Sequence, residues 1–459
     1  MIRRFAVALA AAVLVAACGG GGGGNGQGST GGSGGSIDWN QKAPGKPIEV
    51  SFWHGFSAGA NQDALNYLVN AFNQQHEGQI HVTPTYTGNY DDTFSKVKTG
   101  LQSNQPSQLP DLVQIYDIGT RFMVDSKVST PMQTFIDHDK YDVGDLWPNI
   151  ASYYQVQGKL YSMPWNTSMP LLYYNKDNFK AAGLDPDKAP QTLDEIRTDA
   201  EALKAHGKPG FGAAIYGWYL EQWTARANQQ YCDNGNGRSK LATKTLIDQP
   251  TDVKIMQWWT QMVKDGLAVQ LGRNTTDAQK AFEAGQTSIT LESTGSLRAF
   301  QQAVSFQLGA GPYPRSQSST AGGPIIGGAS LWIVGKKPSY EQVAAWQFVK
   351  FLMQPKNQAY FHTHTGYFPP NKKALDQPDD KQWIAQYPLF ETAVKQLQAT
   401  SVDKATQGCA LGVMPQARQA AENAMENALT GKETPQQALS DGVKNIQPAI
   451  DSYNQSLSS

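Results

Sequence analysis

Along the folded part of the chain, segments with the apolar pattern of a β-strand alternate with segments that have the apolar pattern of an α-helix. Residues 47–53 read as a strand, and Leu65, Leu68, Val69 and Phe72 then recur at helical spacing. Strands that alternate with helices in this way predict an open α/β sheet that binds ligands at the loops beyond its strand ends. The further predicted strands are 79–86, 111–116, strand-like residues within 160–175, the end of 281–291, and 328–334. The further predicted helices are 92–101, 192–206, 252–265, the start of 281–291, 340–352 and 414–429.

The length and net charge of the chain limit its domain organisation and the classes of ligand that it can bind. A chain of 459 residues exceeds what one hydrophobic core usually serves, so two domains or lobes are expected. The formal net charge is −1, which gives no global positive field to hold nucleic acid or an anionic membrane. Any anion site must therefore be built locally from a few donors.

The N-terminus has the pattern of an export signal. Arg3 and Arg4 precede an apolar run, 5–17, that is too short to span a bilayer. The run ends in V-A-A-C, which resembles a bacterial lipobox, so we expect residues 1–18 to be a signal peptide with lipidation at Cys18. An ordinary signal peptide with a chance cysteine is the alternative. Residues 19–44 are expected to form a flexible tether, because 19–36 hold almost only Gly, Ser, Thr, Asn and Gln.

Nothing in the sequence singles out catalytic chemistry. There are seven histidines but no H-E-x-x-H motif, and H-T-H at 362–364 is interpreted as the end of a helix. We therefore expect a protein that is not an enzyme and that uses no cofactor or metal. Cys232 and Cys409 remain after Cys18, and the sequence leaves open whether they form a disulfide or stay buried thiols.

Several segments occur together in an order typical of one family. They are F-W-H at 52–54, T-Y-T-G-N-Y at 85–90, Q-I-Y-D-I-G-T at 114–120, L-Y-Y-N-K-D at 172–177, S-T-G-S-L at 293–297, I-I-G-G-A-S-L-W at 325–332, T-G-Y-F-P at 365–369 and M-P-Q-A-R at 414–418. After residue 46, the chain resembles the sn-glycerol-3-phosphate (glycerophosphodiester) binding proteins of ABC importers, within extracellular solute-binding protein family 1.

The resemblance implies a two-lobed periplasmic-binding-protein-like fold of type II, whose hinged lobes close on a solute. Residues 45–155 with 296–350 would form one lobe, and 156–295 with 351–459 the other. The implied protein is a monomer, exported and held at the cell envelope by its lipid alone, that passes a small phosphorylated glycerol solute to ABC permease subunits. A neutral sugar or oligosaccharide is the alternative ligand, and a lipoprotein that binds other proteins is a third possibility.

The resemblance also implies seven ligand-contacting positions. They are Tyr90, Asp117, Ser168, Ser293, Gly328, Tyr367 and Arg418. Arg418 has the clearest chemistry, because a guanidinium offers a planar fork of donors that matches phosphate oxygens. An isolated arginine at such a position would usually lie on a helix surface. Likewise, Ser293 could simply cap a helix, and Tyr90 and Tyr367 could be core residues with a satisfied hydroxyl.

Two positions depart from the family pattern. Asp117 stands where glutamate is common, and Leu193 stands where tryptophan is common. A smaller residue at 193 would leave room beside the phosphate. This suggests a phosphodiester such as glycerophosphocholine, with Trp218 or Trp223 stacked on its choline cation.

Overall fold

The computed structural model describes residues 36–103, 108–317 and 322–458. Within these ranges the backbone forms twelve strands and eighteen α-helices. The strands are β1 (Ile48–His54), β2 (Ile80–Tyr86), β3 (Leu112–Tyr116), β4 (Gln155–Val156), β5 (Lys159–Leu160), β6 (Met163–Ser168), β7 (Pro170–Asn175), β8 (Phe211–Ala213), β9 (Ala268–Gln270), β10 (Ile289–Ser293), β11 (Leu308–Pro312) and β12 (Gly327–Ile333). The helices are α1 (Ala60–Gln75), α2 (Tyr90–Gln102), α3 (Thr120–Asp125), α4 (Met132–Asp139), α5 (Pro148–Tyr154), α6 (Lys176–Ala181), α7 (Leu193–Ala205), α8 (Gly217–Arg226), α9 (Asp233–Asn236), α10 (Pro250–Lys264), α11 (Thr275–Glu283), α12 (Leu297–Ala303), α13 (Ser339–Leu352), α14 (Pro355–Thr365), α15 (Pro378–Gln386), α16 (Leu389–Gln398), α17 (Met414–Leu429) and α18 (Pro435–Ser456).

The first sheet has five strands in the order β2-β1-β3-β12-β6. β1 lies parallel to β2 and β3, whereas β12 runs antiparallel to β3 and β6. Every residue of β3 is buried, as expected for a central strand covered on both faces. Helices α1 and α13 pack on this sheet, and Phe348 of α13 makes edge contacts with the rings of Phe52 and Phe72. This packing forms the first hydrophobic core.

The second sheet also has five strands, in the order β11-β7-β10-β8-β9. β10 is antiparallel to β7 and parallel to β8, and every residue of β7 is buried. Helices α8, α10, α17 and α18 pack together beside this sheet, with Trp259 of α10 lying edge-on to Phe211 of β8. The second sheet therefore has its own core.

Short connections join the two halves. Met169 alone separates β6 in the first sheet from β7 in the second, and the chain returns to the first sheet between β11 and β12. An isolated bridge between Thr167 and Phe368 lies beside β6. Two α/β halves joined by such crossovers form a two-lobed, hinged fold.

Strand pairing differs from the expected lobe boundaries at two places. β6 lies within the predicted second lobe, 156–295, yet it pairs with β12 of the first sheet. β11 lies within the predicted first lobe, 296–350, yet it pairs with β7 of the second sheet. Both strands are next to a crossover, where the sequence carries no signal for the sheet that a strand joins. The remaining boundaries stay a prediction.

The last part of the expected tether is packed rather than free. Ile37 is 7% exposed, and the ring of Trp39 stacks on His138 with centroids 3.5 Å apart. These two apolar side chains give residues 36–44 a contact surface that the Gly-rich segment before them lacks. Cys18, the signal peptide and residues 19–35 lie outside the described residues.

The predicted helices and strands around the site are confirmed, with small shifts at their ends. Helix α17 begins and ends at the predicted residues. At the start of α7, Thr192 Oγ1 accepts from Glu195 N, whereas the Glu195 carboxylate accepts from Gln191 N. The H-T-H segment is the end of α14, as predicted.

Cys232 and Cys409 form a disulfide, which resolves the alternative that the sequence left open. The bond joins positions 177 residues apart and ties the segment after α8 to the segment before α17. Both of these helices contribute to the candidate site.

Candidate functional site

A cleft lies where the strand ends of the two sheets meet. Residues after β1, β2, β3 and β6 and the first residues of β12 line it from the first sheet, and residues after β8, β9 and β10 line it from the second. Its volume is about 730 Å³, a size suited to a small solute. All seven ligand-contacting residues predicted from the sequence line this cleft: Tyr90, Asp117, Ser168, Ser293, Gly328, Tyr367 and Arg418.

Arg418 projects into the cleft from the first turns of α17 and is 5% exposed. Its Nη2 donates to Glu221 Oε2 at 2.7 Å and to Asp117 Oδ2 at 3.4 Å. Its Nε is buried and has no hydrogen-bond partner within the described residues. The guanidinium is therefore fixed by two carboxylates at one corner and keeps an unused donor at another.

Gly217 explains how α8 approaches Arg418 so closely. A Cβ at position 217 would clash with the Arg418 backbone carbonyl and side chain, so only glycine allows this contact. The Gly217 amide donates to Glu422 Oε1 at 2.9 Å, one turn beyond Arg418. The start of α8 thus positions Glu221 against the guanidinium.

Burial and charge act in opposite directions on this cluster. Burial raises the pKa of Asp117 above its usual value, although Arg418 opposes the shift. Burial raises the pKa of Glu221 in the same way. Burial alone would lower the pKa of Arg418, but Glu221 and Asp117 outweigh it and raise that pKa, so the arginine stays charged. One cation thus faces two carboxylates that are poorly stabilised as anions.

The two predicted tyrosines meet across the cleft. Tyr90 Oη lies 3.3 Å from Tyr367 Oη, and Asn166 Nδ2 donates to Tyr90 Oη at 2.8 Å. Gln114 Nε2 donates to Asn166 Oδ1 at 2.8 Å, and Gln114 Oε1 accepts from the Gly55 amide at 2.8 Å, which extends the chain of bonds through the first sheet. This network fixes the two hydroxyl groups at the wall of the cleft.

The end of β10 places Ser293 as the cap of a short 3₁₀ turn. Ser293 Oγ accepts from the Gly295 amide at 3.1 Å, so the capping role that the sequence left open is present. The neighbouring Glu292 accepts from the Ser293 amide and from Gln279. Burial raises the pKa of Glu292 to about 7.

Gly328 and Ser168 lie side by side at the crossover edge. Gly328 has φ +87°, and a Cβ there would collide with the Asn166 backbone carbonyl. A side chain is therefore excluded at this position for two separate reasons, conformation and space. Ser168 is 3% exposed and ends β6 beside Gly327 of β12.

Of the three further predicted lining residues, only Trp218 lines the cleft. Its Nε1 is buried and has no hydrogen-bond partner within the described residues. Trp223 lies on the other side of α8, in the core, with its ring packed against Trp259 and Tyr313. Leu193 is the first residue of α7, 3% exposed in the core of the second lobe. The predicted lining roles of Leu193 and Trp223 are therefore wrong.

Carboxylates outnumber guanidinium groups among the described residues that line the cleft. Arg273 is also paired with Glu426, which further reduces the free positive charge. The charged lining residues are Asp91, Asp117, Glu292, Glu422, Arg273 and Arg418.

Sequence reasoning missed Glu221, Asn166 and three of the acidic lining residues, Asp91, Glu292 and Glu422. Glu221 carried one usable signal: a carboxylate in the otherwise apolar segment W-Y-L-E-Q-W is unusual for a buried helix. Asn166 lies in the aromatic stretch before Ser168 and carried no comparable signal. Among the described residues, no cluster of three or more histidines, cysteines or carboxylates is arranged to hold a metal ion. No helix in the described ranges has the length and apolar character of a membrane span.

Two hinged α/β lobes with a polar cleft between their strand ends define the class of two-lobed solute-binding proteins. Comparisons with known proteins agree. Residues 67–392 match the family model described as bacterial extracellular solute-binding protein. The chain is 32% identical over 416 residues to the sn-glycerol-3-phosphate-binding periplasmic protein UgpB of Pectobacterium atrosepticum, covering 89% of this chain and 92% of that protein. It is 33% identical over 405 residues to the protein of the same name from Escherichia coli K12, covering 86% and 91%.

Solved structures share the fold. UgpB from Mycobacterium tuberculosis in complex with glycerophosphocholine aligns with a TM-score of 0.75 at 24% identity, covering 88% of this chain and 99% of that one. A cyclic alpha-maltosyl-1,6-maltose binding protein from Arthrobacter globiformis aligns with a TM-score of 0.72 at 20% identity, covering 88% and 99%. The chain belongs to the bacterial extracellular solute-binding protein family.

Proposed function

We propose that this protein captures a glycerol phosphate solute, sn-glycerol-3-phosphate or a glycerophosphodiester such as glycerophosphocholine, and delivers it to the permease of an ABC importer. The observation that carries the proposal is the buried Arg418 guanidinium, which lines the cleft and gives its two carboxylate partners only one nitrogen, Nη2. A phosphate oxygen is the acceptor that such a donor fits. The names of the curated relatives support the same ligand class.

Charge in the cleft favours the diester over the monoester. A phosphomonoester carries about −1.5 to −2 charges at pH 7, because its second pKa is near 6. A phosphodiester carries one negative charge, and a choline ester adds a cation that balances it. Since carboxylates outnumber guanidinium groups among the described lining residues, the ligand with less net negative charge meets less repulsion. Leu193 does not line the cleft, so its size does not affect the room beside the phosphate.

Seven lining residues receive roles under this proposal. Arg418, the amide of Gly328 and the Ser168 and Ser293 hydroxyls would bind the phosphate. Asp117 would accept from a glycerol hydroxyl, and Tyr90 and Tyr367 would pack on the glycerol carbons. Binding would draw the lobes together, in proportion to the extra contacts that the ligand makes in the closed form.

Export and anchoring are part of the proposal. The signal peptide pattern at 1–18 supports secretion, and lipidation at Cys18 would hold a monomeric protein at the cell envelope through its lipid alone. Globomycin, which blocks lipoprotein signal peptide cleavage, would shift the mass of the wild-type chain. A Cys18→Ser chain that still partitions into detergent would refute the anchor.

A neutral sugar remains the second candidate, because tyrosine hydroxyls and carboxylates that line a cleft also suit carbohydrate hydroxyl groups. Isothermal titration calorimetry with glycerophosphocholine, sn-glycerol-3-phosphate and maltotriose separates the two. We expect heat with the phosphate esters, strongest for the diester, and none with maltotriose. Heat with maltotriose alone would refute the proposal.

A matched pair of variants tests the role of the guanidinium. Arg418→Lys keeps one positive charge but loses the planar fork, so binding of the diester should weaken at least tenfold. Arg197→Lys makes the same change in a half-exposed ion pair with Asp265 and should bind like wild type. Equal affinities for both variants would remove Arg418 from the site.

A further inference from the structure

Glu221 holds a position that the seven predicted contacts do not explain. It is 1% exposed, it does not line the cleft, and its Oε2 accepts from Arg418 Nη2 at 2.7 Å. Its other oxygen, Oε1, is buried without a hydrogen-bond partner among the described residues. The carboxylate therefore lies behind the guanidinium with only one hydrogen bond to stabilise its charge.

We infer that Glu221 is an internal counter-ion of Arg418 that takes up one proton from solvent when a phosphate group binds in front of that guanidinium. This inference rests on the proposed function, because it requires an anionic phosphate beside Arg418. It names a residue that determines how affinity depends on pH and on ligand charge.

The geometry allows phosphate and Glu221 to contact Arg418 at the same time. Both carboxylates accept from the same nitrogen, Nη2, so neither occupies the rest of the guanidinium. An entering phosphate can therefore bind without displacing Glu221. It then adds a third negative charge next to a single cation.

Charge balance decides the next step. Three anionic groups around one guanidinium in a buried site leave an uncompensated charge, which is costly, and protonation of one carboxylate removes it. A new anion nearby raises the pKa of a carboxyl further. Burial already raises the pKa of Glu221, and an entering anion shifts it further in the same direction.

Asp117 lies beside Glu221 and Glu292 lies farther along the cleft, and each could compete with Glu221 for the proton. Asp117 shares Arg418 but is expected to accept from the ligand, which favours its ionised form. Glu292 lines the cleft, but its hydrogen bonds are to Ser293 and Gln279 and not to Arg418. The charged or titratable groups on the elements packed around Glu221 are Asp117 after β3, Tyr153 on α5, Tyr216 before α8, Arg226 on α8, Tyr231 and Arg238 after α8, Asp252 on α10, and Arg418 and Glu422 on α17.

Proton uptake by Glu221 makes the affinity for the ligand depend on pH. Binding that takes up a proton becomes tighter as pH falls, by at most about tenfold per pH unit for one proton. The effect is lost below the pKa of Glu221 in the free protein, where the group is already protonated. Glycerophosphocholine is the probe, because its phosphodiester does not titrate near neutral pH, whereas the second pKa of a monoester near 6 would confuse the result.

Calorimetry of the full-length protein with glycerophosphocholine tests this directly. Titrations at one pH near 7.5, in buffers with different ionisation enthalpies, give the number of protons taken up. We expect a value between about 0.3 and 1 for wild type and about zero for Glu221→Gln, which also binds more tightly than wild type above pH 7.5. Glu341→Gln is the matched control. Burial raises the pKa of Glu341 to about 7, and this residue does not line the cleft. The Glu341→Gln variant should therefore take up as many protons on binding as wild type.

Each outcome decides the inference. Wild-type binding with no proton uptake overturns the inference and leaves the proposed function intact, and this measurement needs no variant to fold. Proton uptake that persists in Glu221→Gln but disappears in Glu292→Gln assigns the proton to Glu292 and also overturns it. Absence of binding to any phosphate ester refutes the proposed function, and the inference fails with it.

Discussion

Removing the Arg418 side chain should destabilise the protein as well as abolish phosphate binding. The side chains of Arg418, Asp117 and Glu221 are 6%, 5% and 1% exposed, so water cannot replace the guanidinium as a partner. Breaking a buried ion pair by removing one partner typically costs about 3–5 kcal/mol, because the remaining charge is buried and unpaired. We expect Arg418→Met to lower the free energy of unfolding by that amount at pH 8.

The loss of stability in Arg418→Met should depend on pH. Burial already raises the pKa values of Asp117 and Glu221, and loss of Arg418 raises them further. A carboxyl group whose pKa is higher in the folded state than in the unfolded state makes the folded protein less stable as the pH rises above the unfolded-state pKa, which is about 4. Arg418→Met should therefore be closer to wild type at pH 5 than at pH 8. Urea denaturation at both pH values, followed by tryptophan fluorescence, measures the difference.

Two controls separate charge burial from lost packing. Adding Asp117→Asn and Glu221→Gln to Arg418→Met removes the unpaired charges and should restore most of the lost stability without restoring binding. Arg197→Met breaks a half-exposed ion pair with Asp265 and should cost about 1 kcal/mol or less. If Arg418→Met unfolds at the wild-type urea concentration at pH 8, or if the triple variant recovers nothing, the buried-charge reasoning is wrong.

Three other changes have definite expected results. Gly328→Ala places a Cβ against a backbone carbonyl at a positive φ, whereas Gly272→Ala adds a Cβ at a similar φ in open space. Gly272→Ala should cost about 1 kcal/mol of stability, and Gly328→Ala should cost more. Thermal denaturation of the two variants tests this, and equal losses of stability would contradict it. Replacing Cys232 and Cys409 with serine should lower stability by about 2–5 kcal/mol, measured in urea, and an unchanged midpoint would mean that the disulfide adds nothing. Burial raises the pKa of Asp252 to about 8, so the wild-type protein should lose stability as the pH rises from about 4 to 8. Asp252→Asn should flatten this pH dependence of stability. Melting temperatures measured across the pH range test this, and an unchanged slope in the variant would refute it.

The sequence predicted the cleft better than the cores around it. Period-two and period-3.6 patterns located β1, α1, β3 and α17, because these elements each bury one face or both in a sheet core. The sheet that a strand joins depends on contacts between residues far apart in sequence. β6 and β11 therefore ended on the other side of the expected boundary.

Leu193 shows where a motif-based transfer fails. The sequence pattern predicts a helix that starts at Thr192, and the helix is there. Which face of that helix turns toward the cleft is decided by packing, and α7 turns Leu193 into the core of the second lobe. Trp218 and Trp223, five residues apart on α8, likewise end on different faces, so only Trp218 reaches the cleft.

Glu221 explains why the charge of the site could not be inferred from its motifs. The M-P-Q-A-R segment predicts a cationic site, and Arg418 does line the cleft. A second carboxylate from α8 then cancels that cation from behind, through a contact between residues 197 positions apart in the chain. The affinity of such a site for an anion depends on the net charge of the cluster and not on the arginine alone, since each added carboxylate reduces the attraction and adds a group that can bind a proton. Under the proposed function, the motif identifies the donor that would bind phosphate, whereas its buried counter-ions would determine which phosphate ester it prefers and at what pH.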